Sequence, residues 1–382
     1  MRRLPPVVLT LPLLVAGCTV EDSDGPPPYN PPIPAATNEP VGEAPPKAAA
    51  RPAVKETADA LVAKGIKAEE SDDLPAAAGF FDRVVEADPT NRDALYHSAK
   101  TGQELASKFA RPHNSKILLK SAAAARKLHE TYKTLNANEQ RVLQAALFNE
   151  ACTLVQNGDL TRAVQVLGEA HEAGFDDLAH LDLDNELDPI RKMPEFRKIT
   201  AAMEREYAAK LMAAAKPFPF DFKLPGLDNK TLSLADLKGK VVIVDFWGTW
   251  CPPCRKEIPH FVALLKKYRD QGLKVVGLNY ENVDGAAAKN LIGAFVKEAG
   301  IPYPCLIGDR TTMSQIEDFD GFPTTLFIDR QGKVRLKVTG YQPLGVLEAI
   351  ITPLLGAAPA KEGPKDGGTD GPAAKDAPAK TE

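Results

Sequence analysis

Two cysteines separated by two prolines are the residues of this chain best placed to do chemistry. Cys251 and Cys254 directly follow an apolar run, Val241 to Phe246, that is typical of a buried strand. A helical pattern begins at the pair, so Cys251 is predicted at a helix N-terminus, where unpaired N–H groups and the helix dipole stabilise a thiolate. Cys254 lies one turn further along. The spacing therefore predicts an attacking thiolate and a more shielded thiol that can resolve a mixed disulfide.

Other uses of the pair remain open, but each lacks a partner in the sequence. Structural zinc needs four ligands, no second cysteine pair exists, and the nearest histidine, His260, would add only one ligand. Haem attachment needs a histidine directly after the second cysteine, where this chain has Arg255. An inert disulfide is the third alternative. We expect a redox-active dithiol, with no metal and no cofactor.

The two prolines bear on the direction of electron flow. Neither Pro252 nor Pro253 has a backbone N–H, so the Cys251 thiolate loses two possible donors and keeps mainly the amide of Cys254. A thiolate with few donors is less stabilised than that of a strong oxidant, which favours a reductase.

The segments around the pair resemble the thioredoxin superfamily. "VDFWGTWCPPCRKEIP" is similar to its active-site segment, "GFPTTLFIDRQGKV" to its cis-proline strand, and "FDFKLPGLDNKTLSLADLKGKVVIV" to the TlpA/ResA-like branch of envelope thioredoxins. The resemblance covers about 217–356 and implies a thioredoxin-like α/β fold. It makes Cys251 the nucleophile and Cys254 the resolving cysteine. It also implies a cis-proline at Pro323 and a helix-kinking proline at Pro259.

Two acidic residues are candidates for moving the proton of the resolving cysteine. Asp245 matches the buried aspartate of ordinary thioredoxins, and Glu257 matches the active-site glutamate of the ResA-like branch. That branch often has a neutral residue in place of Asp245, so it stays open which acid acts here. Burial would raise the pKa of either carboxyl group and suit it to proton transfer near neutrality. The alternatives are a structural strand-end acid for Asp245 and a solvated helix residue for Glu257.

The N-terminal segment resembles a bacterial lipoprotein signal. Arg2 and Arg3 precede an apolar run, Leu4 to Gly17, that is too short to span a bilayer and ends at Cys18. The resemblance implies cleavage before Cys18, lipidation of its thiol and a periplasm-facing position on a membrane of the bacterial envelope. An ordinary secretory signal is the alternative.

Two further cysteines carry structural expectations. We expect Cys152 to be a small buried residue on a helix, and Cys305 to enter a core strand.

Composition divides the chain into five segments. After the signal peptide (1–17), residues 18–52 form a proline-rich linker, and residues 53–215 show helical periodicity. Residues 216–356 alternate strands with helices, as in an α/β sheet, and 357–382 is expected to be a disordered tail. The predicted fold is thus an all-α domain followed by a thioredoxin-like α/β domain.

The pattern in the second domain predicts ten elements. The strands are expected at 218–224, 241–246, 275–279, 306–308, 324–329 and 334–338, and the helices near 254–270, 285–299, 311–318 and 343–355.

Two sets of residues in the helical region resemble tetratricopeptide repeats. They are Gly65, Ala77, Phe81 and Pro89 in the first set, and Ala151, Gly158, Ala163 and Ala170 in the second. The repeat has a period of about 34 residues, which does not fit the spacing of the two sets, so the helices expected around 91–108 and 115–134 interrupt it. Stacked helix pairs leave a concave groove, which implies a protein or peptide partner. A spacer domain is the alternative.

Alternating carboxylates from Asp182 to Asp188 raise the possibility of a calcium loop. Leu187 stands where that loop needs glycine, and Met193 where it needs a bidentate glutamate. We therefore expect a solvated acidic loop without calcium.

The net charge of −4 argues against a general nucleic-acid binder. The sequence predicts a membrane-anchored thiol-disulfide oxidoreductase that reduces protein disulfides and is recharged by a thiol reductant of the membrane or envelope. One alternative is a thiol peroxidase of the redoxin superfamily, although no Pro-x-x-x-Thr-x-x-Cys stretch precedes the pair. Another is an interaction scaffold whose dithiol only senses redox state.

Overall fold

The computed structural model describes residues 56–109 and 114–356. The signal segment with Cys18, the proline-rich linker and the tail from 357 onwards lie outside the described residues. The chain forms two compact units that divide between Met203 and Glu204. Among the described helices, none combines the length and the apolar character needed to cross a bilayer.

The first unit is helical, as its alanine- and leucine-rich periodicity predicts. Its helices, with the one that runs on past Met203, are α1 (Ala58–Glu70), α2 (Leu74–Ala87), α3 (Arg92–Ser107), α4 (Ser115–Thr131), α5 (Ala137–Gln156), α6 (Leu160–Glu172), α7 (Leu178–Leu183) and α8 (Pro194–Ala214). A 3-10 turn, Asn185–Leu187, follows α7. Six of these helices begin at a Thr, Asn or Asp whose side chain accepts a backbone N–H of the first turn, which explains where they start.

The crossing of α1 and α2 depends on the absence of a side chain at Gly65. A Cβ atom there would lie 2.4 Å from Cε1 of Phe81, which is fully buried. Ala77 is also fully buried. These are the small and aromatic positions that the repeat pattern singled out. The assignment to tetratricopeptide repeats remains a prediction.

The second unit is built on a five-stranded mixed sheet and a two-stranded hairpin. Its strands are β1 (Lys223–Pro225), β2 (Thr231–Ser233), β3 (Val241–Trp247), β4 (Leu273–Asn279), β5 (Cys305–Ile307), β6 (Thr324–Ile328) and β7 (Val334–Thr339). The helices of this unit are α9 (Pro252–Tyr268), α10 (Gly285–Glu298), α11 (Arg310–Met313) and α12 (Leu344–Leu355).

Strand β3 is the centre of the sheet, whose order is β5-β4-β3-β6-β7. It pairs in parallel with β4 and antiparallel with β6, and β7 pairs antiparallel with β6. All seven residues of β3 are buried, because the strand has neighbours on both edges and helices pack against the sheet. The predicted thioredoxin-like α/β fold is confirmed.

Two predictions within this unit were wrong. The strand expected at 218–224 is reduced to β1, because Phe220 and Phe222 are buried in the hydrophobic core rather than paired along a strand. Its partner β2 was missed. The helix expected at 311–318 ends at Met313, and Asp318 has a positive φ of 50°, which a helix does not accommodate.

Candidate active site

Cys251 is the N-cap residue of α9, and Cys254 is the third residue of that helix. The two sulfurs form a disulfide, with an S–S distance of 2.00 Å. The backbone N–H of Cys254 donates to Sγ of Cys251 at 3.3 Å. The first two helical positions are Pro252 and Pro253, which have no N–H to offer. The sequence-based prediction of a single amide donor at this sulfur matches the local geometry.

The loop between β3 and the cysteines is held by the residues that follow β4. The carboxylate of Glu281 accepts from the backbone N–H of Thr249 at 2.8 Å and from the Thr249 hydroxyl at 3.0 Å. Asn279 donates to the same carboxylate at 2.9 Å. Because β3 and β4 are parallel, their carboxyl ends lie at one edge of the sheet, and this network fixes the approach to Cys251.

Trp250 forms an exposed aromatic surface directly beside the disulfide. Its side chain is 45% exposed although its indole N–H donates to the carbonyl of Tyr280 at 2.8 Å. The ring packs edge to face against Phe322, with centroids 5.3 Å apart. A Cβ at position 248 would lie 2.5 Å from the indole nitrogen, so Gly248 permits this packing.

Pro323 lies next to this surface. The Phe322–Pro323 peptide bond is cis, and the carbonyl of Pro323 accepts from the N–H of Gly340 at 2.8 Å. Since Phe322 contacts Trp250, this segment packs against the residue that directly precedes Cys251. Pro259 lies inside α9, as expected.

Asp245 is buried in the middle of β3, with 1% exposure. Among the residues that the structure describes, no hydrogen-bond donor meets either of its carboxylate oxygens. Burial without a partner disfavours the charged form and raises the pKa of Asp245 to about 8. The group is therefore mostly protonated at neutral pH.

Glu257 is fully buried on α9, one turn after Cys254. Burial and the nearby Asp245 charge raise its pKa well above the ordinary value, against the opposing effect of the N–H of Gln342, which donates to Oε1 at 2.8 Å. The alternative of a solvated helix residue is thus wrong for Glu257. Both acids are thus buried with raised pKa values, and the role of each in proton transfer remains a prediction.

A buried tyrosine and a buried cysteine accompany the two acids. The pKa of Tyr303 is raised by burial and then by Asp245, Cys305 and Glu257, and its hydroxyl has no hydrogen-bond partner among the described residues. Burial, with the charge of Asp245, raises the pKa of the Cys305 thiol to about 12. Cys305 begins β5, as expected, and is a neutral thiol at physiological pH.

Sequence reasoning missed Glu281, Tyr280, Gln342 and Tyr303. Tyr280 and Glu281 directly follow β4. Because the carboxyl ends of parallel strands lie at the same edge of a sheet, their positions in the sequence could have placed them near the end of β3. For Gln342 there was no such signal, since its contact with Glu257 joins residues 85 positions apart.

Comparison with known proteins places this site in a family. Residues 214–337 match the AhpC/TSA family. Thiol-disulfide oxidoreductase ResA of Bacillus cereus is 36% identical over 131 residues, covering 34% of this chain and 73% of the relative. Thiol:disulfide interchange protein DsbE of Pseudomonas aeruginosa is 37% identical over 142 residues, covering 36% of this chain and 73% of the relative. A solved thiol:disulfide interchange protein of the thioredoxin family from Chlorobium tepidum is 32% identical and covers 37% of this chain and 99% of that chain, with a TM-score of 0.34.

The fold and the matched segment define the second unit as a thioredoxin-like redoxin domain. The chain belongs to the thiol-disulfide oxidoreductases of the ResA/DsbE type and is an enzyme of that class. The aligned stretches span little more than a third of this chain.

Proposed function

We propose that this oxidoreductase reduces protein disulfides in the bacterial envelope, with Cys251 as nucleophile and Cys254 as resolving cysteine. One observation carries the reductive direction. Sγ of Cys251 accepts from the N–H of Cys254, and the two preceding helix positions are prolines that cannot donate. A thiolate with few donors is a better reductant, because its reduced state gains less stabilisation.

The reaction transfers two electrons in two exchange steps. The Cys251 thiolate attacks one sulfur of the substrate disulfide, the substrate S–S bond breaks, and the leaving thiolate takes a proton. Cys254 then loses its proton and attacks Sγ of Cys251, which breaks the mixed disulfide and releases the second substrate thiol. The protein ends with the Cys251–Cys254 disulfide seen in the structure.

The buried carboxyl groups of Asp245 and Glu257 can accept the proton that Cys254 loses in the second exchange step. Cys254 is 1% exposed, so water has little access to its proton. A carboxylate with a pKa of about 8, as at Asp245, is nearly matched to an ordinary thiol, so a proton passes between them at little cost. Glu257, one turn from Cys254 on the same helix, serves as the second proton acceptor.

The remaining parts of the proposal concern location and partners. Lipidation of Cys18 would hold the protein on a membrane with its catalytic unit facing the periplasm, and a thiol reductant of the membrane or envelope would re-reduce the pair. The helical unit would bind a protein or peptide partner on a groove formed by its stacked helices. Cys18→Ser, followed by fractionation, tests the anchor: release of the protein from the membrane fraction is expected.

Trapping the mixed disulfide tests the exchange chemistry. In the full chain, Cys254→Ser leaves Cys251 able to attack but removes the resolving thiol, so envelope proteins should accumulate as disulfide-linked adducts until a reductant is added. The matched control is Cys305→Ser, which removes a buried thiol that does not exchange. Adducts formed equally by Cys251→Ser and Cys254→Ser would contradict the assignment.

A redox titration against glutathione tests the direction. We expect a potential closer to the roughly −270 mV of thioredoxin than to the roughly −120 mV of a strong oxidant. The two alternatives give different results. Peroxide consumption that survives Cys254→Ser would favour a thiol peroxidase, and a cellular phenotype that survives Cys251→Ser would favour a scaffold.

A further inference from the structure

One buried residue of the loop between β7 and α12 is hydrogen-bonded to α9 at both ends of its backbone. Gln342 lies in this loop and is 6% exposed. Its N–H donates to Oε1 of Glu257 at 2.8 Å, and its carbonyl oxygen lies 3.1 Å from Nδ1 of His260. Glu257 and His260 are one turn apart on α9, so both side chains lie on the same face of that helix. Two side chains of α9 therefore hold a single residue of the loop.

The chemistry of the two atoms decides which of them donates in the contact between His260 and Gln342. A carbonyl oxygen only accepts, so Nδ1 of His260 carries the hydrogen. The neutral ring protonated at Nδ1 and the imidazolium both offer this donor, so the bond forms whether or not the ring is charged. The imidazole is half-buried and packs against the ring of Tyr341, with centroids 5.5 Å apart. Its orientation towards Gln342 is thus supported by packing.

The same loop is bonded to the cis-proline segment. The N–H of Gly340 donates to the carbonyl of Pro323 at 2.8 Å, and the side-chain amide of Gln342 donates to the carbonyl of Gly340 at 3.3 Å. Gly340 has a φ of 87°, in the left-handed region that favours glycine, so the chain can turn here. The loop is therefore anchored at its first residue by the segment before β6 and at its third residue by α9.

The N–H of Gln342 is the only donor to the Glu257 carboxyl group among the residues that the structure describes. Oε1 accepts it, whereas Oε2 is buried without a hydrogen-bond partner. Burial and Asp245, on β3, raise the pKa of Glu257, and this N–H lowers it. Tyr303, which precedes β5, interacts with the charge of Glu257 in turn. Loss of the N–H would keep Glu257 protonated to a higher pH and so unable to accept a proton.

We propose that His260 is a positioning residue for the resolving step, because it holds the carbonyl of Gln342 so that the N–H of that residue stays on Glu257. The proposal rests on the proposed role of Glu257 as a proton acceptor. In this step the Cys254 S–H bond breaks and Oε2 of Glu257 takes the proton. The Cys254 sulfur attacks Sγ of Cys251, and the substrate sulfur leaves as a thiolate. His260 acts on this step through Gln342.

Two substitutions in the full chain separate the donor from the ring. His260→Phe keeps a ring that can pack against Tyr341 but has no atom that donates. His260→Asn is the matched control, because its side-chain amide nitrogen can take the place of Nδ1 and donate to the carbonyl of Gln342. Far-UV circular dichroism checks folding, and His260→Leu replaces His260→Phe if the larger ring prevents folding.

The reaction with an aromatic disulfide, dithiobis(nitrobenzoate), measures both exchange steps in one stopped-flow trace. The parent carries Cys18→Ser, so that this thiol does not react with the reagent. The first thionitrobenzoate is released when Cys251 attacks, and the second when Cys254 resolves the mixed disulfide. At pH 7, His260→Phe should slow the second release about tenfold, whereas His260→Asn should stay within about twofold of the parent. Between pH 5 and pH 9, the profile of the second release should move to higher pH in His260→Phe.

A Glu257→Gln background distinguishes this proposal from the role of Glu257 itself. That side chain can accept from Gln342 but takes no proton, so adding His260→Phe should slow resolution by less than about twofold further. Equal slowing by His260→Phe in both backgrounds would show a purely structural role and overturn the proposal. A parental rate in Glu257→Gln overturns this proposal together with the role of Glu257. Slow resolution in Glu257→Gln with a parental rate in His260→Phe overturns the role of His260 alone.

Discussion

The properties of the dithiol follow from single atoms around Cys251. At the start of α9, the N-cap sulfur can accept from the N–H of the second or third helical residue. The second is Pro253, so the N–H of Cys254 is left to fill this role, at 3.3 Å. The first helical residue, Pro252, occupies a position whose N–H does not normally reach the cap side chain. The two prolines are therefore not equivalent.

Replacing Pro253 with alanine should make the pair more oxidising. The new N–H at the second position stabilises the reduced thiolate, and a gain of about 1.4 kcal/mol corresponds to a rise in potential of about 30 mV. Equilibration with glutathione measures the change. Pro252→Ala is the matched control and should shift the potential much less. Equal shifts in both variants would mean that chain stiffness rather than the donor sets the potential.

Asp245 should make stability depend on pH. In the unfolded chain it ionises near its ordinary pKa of 3.8, whereas the folded protein keeps it protonated until about pH 8. The folded state therefore binds more protons between these values, and the free energy of unfolding falls as pH rises through this window.

Asp245→Asn should remove much of that slope. Relative to the parent, the free energy of unfolding of the variant should increase by on the order of 1 kcal/mol per pH unit between pH 5 and pH 8. Urea unfolding followed by tryptophan fluorescence reports on the second unit, because both tryptophans lie there. Asp270→Asn, at a side chain that is 92% exposed, should keep the parental slope. If the free energies of unfolding of Asp245→Asn and the parent changed in parallel with pH, Asp245 would not be the source of the pH dependence.

Glu257→Gln should slow the resolving step. The amide oxygen can still accept from the N–H of Gln342, so the fold is kept, but the side chain can no longer take a proton. We expect resolution of a preformed mixed disulfide on Cys251 to slow by about 100-fold at pH 7. Acid-quenched, single-turnover mass spectrometry measures this rate. If the mixed disulfide resolved at the parental rate, Asp245 alone would be the acceptor of the Cys254 proton.

The positions of helices and strands depend on where two helices cross closely and on which strands end at the same edge of the sheet. The parallel pairing of β3 and β4 brings Glu281 to the loop before Cys251. In the helical unit, α1 and α2 approach closely because Gly65 has no side chain where Phe81 packs. Gly79, on α2, is exposed, and a Cβ added there would meet no packing neighbour within 4 Å.

The two glycines should respond oppositely to alanine. Gly65→Ala places a methyl group against the buried ring of Phe81 and should destabilise the helical unit by about 1–3 kcal/mol. Gly79→Ala has room and gains helix propensity, so it should stabilise by up to about 1 kcal/mol. Denaturant unfolding followed by far-UV circular dichroism compares them. A loss of stability in both variants would mean that the crossing is not the cause.

At the scale of the whole molecule, the dithiol chemistry is contained in the second unit. The disulfide, the two acids, Pro323 and the residues that hold the loop all lie between Asp245 and Gln342. This unit has its own core, which includes Phe220, Val244 and Leu326.

A fragment of residues 204–356 should therefore retain exchange activity. We expect insulin disulfide reduction within about twofold of the full chain, because a domain with its own core folds alone. The fragment should lose the adducts that depend on a partner bound to the helical unit. Insulin reduction that fell to the level of Cys251→Ser, in a fragment shown to be folded, would place a required residue in the first unit.

Residues that are neighbours in the sequence specify the local chemistry of the cysteine pair. A buried strand, two cysteines and two prolines at the start of a helix specify the N-cap position of Cys251 and its donor, because these contacts join residues at most three positions apart. The resemblance to thioredoxins supplied the fold and Pro323. Tertiary structure decided what depends on distant segments: the burial of Glu257 against Gln342, the position of Glu281, and the contact of His260 with Gln342. Composition and spacing do not encode such contacts, since they arise only when packing brings remote residues together.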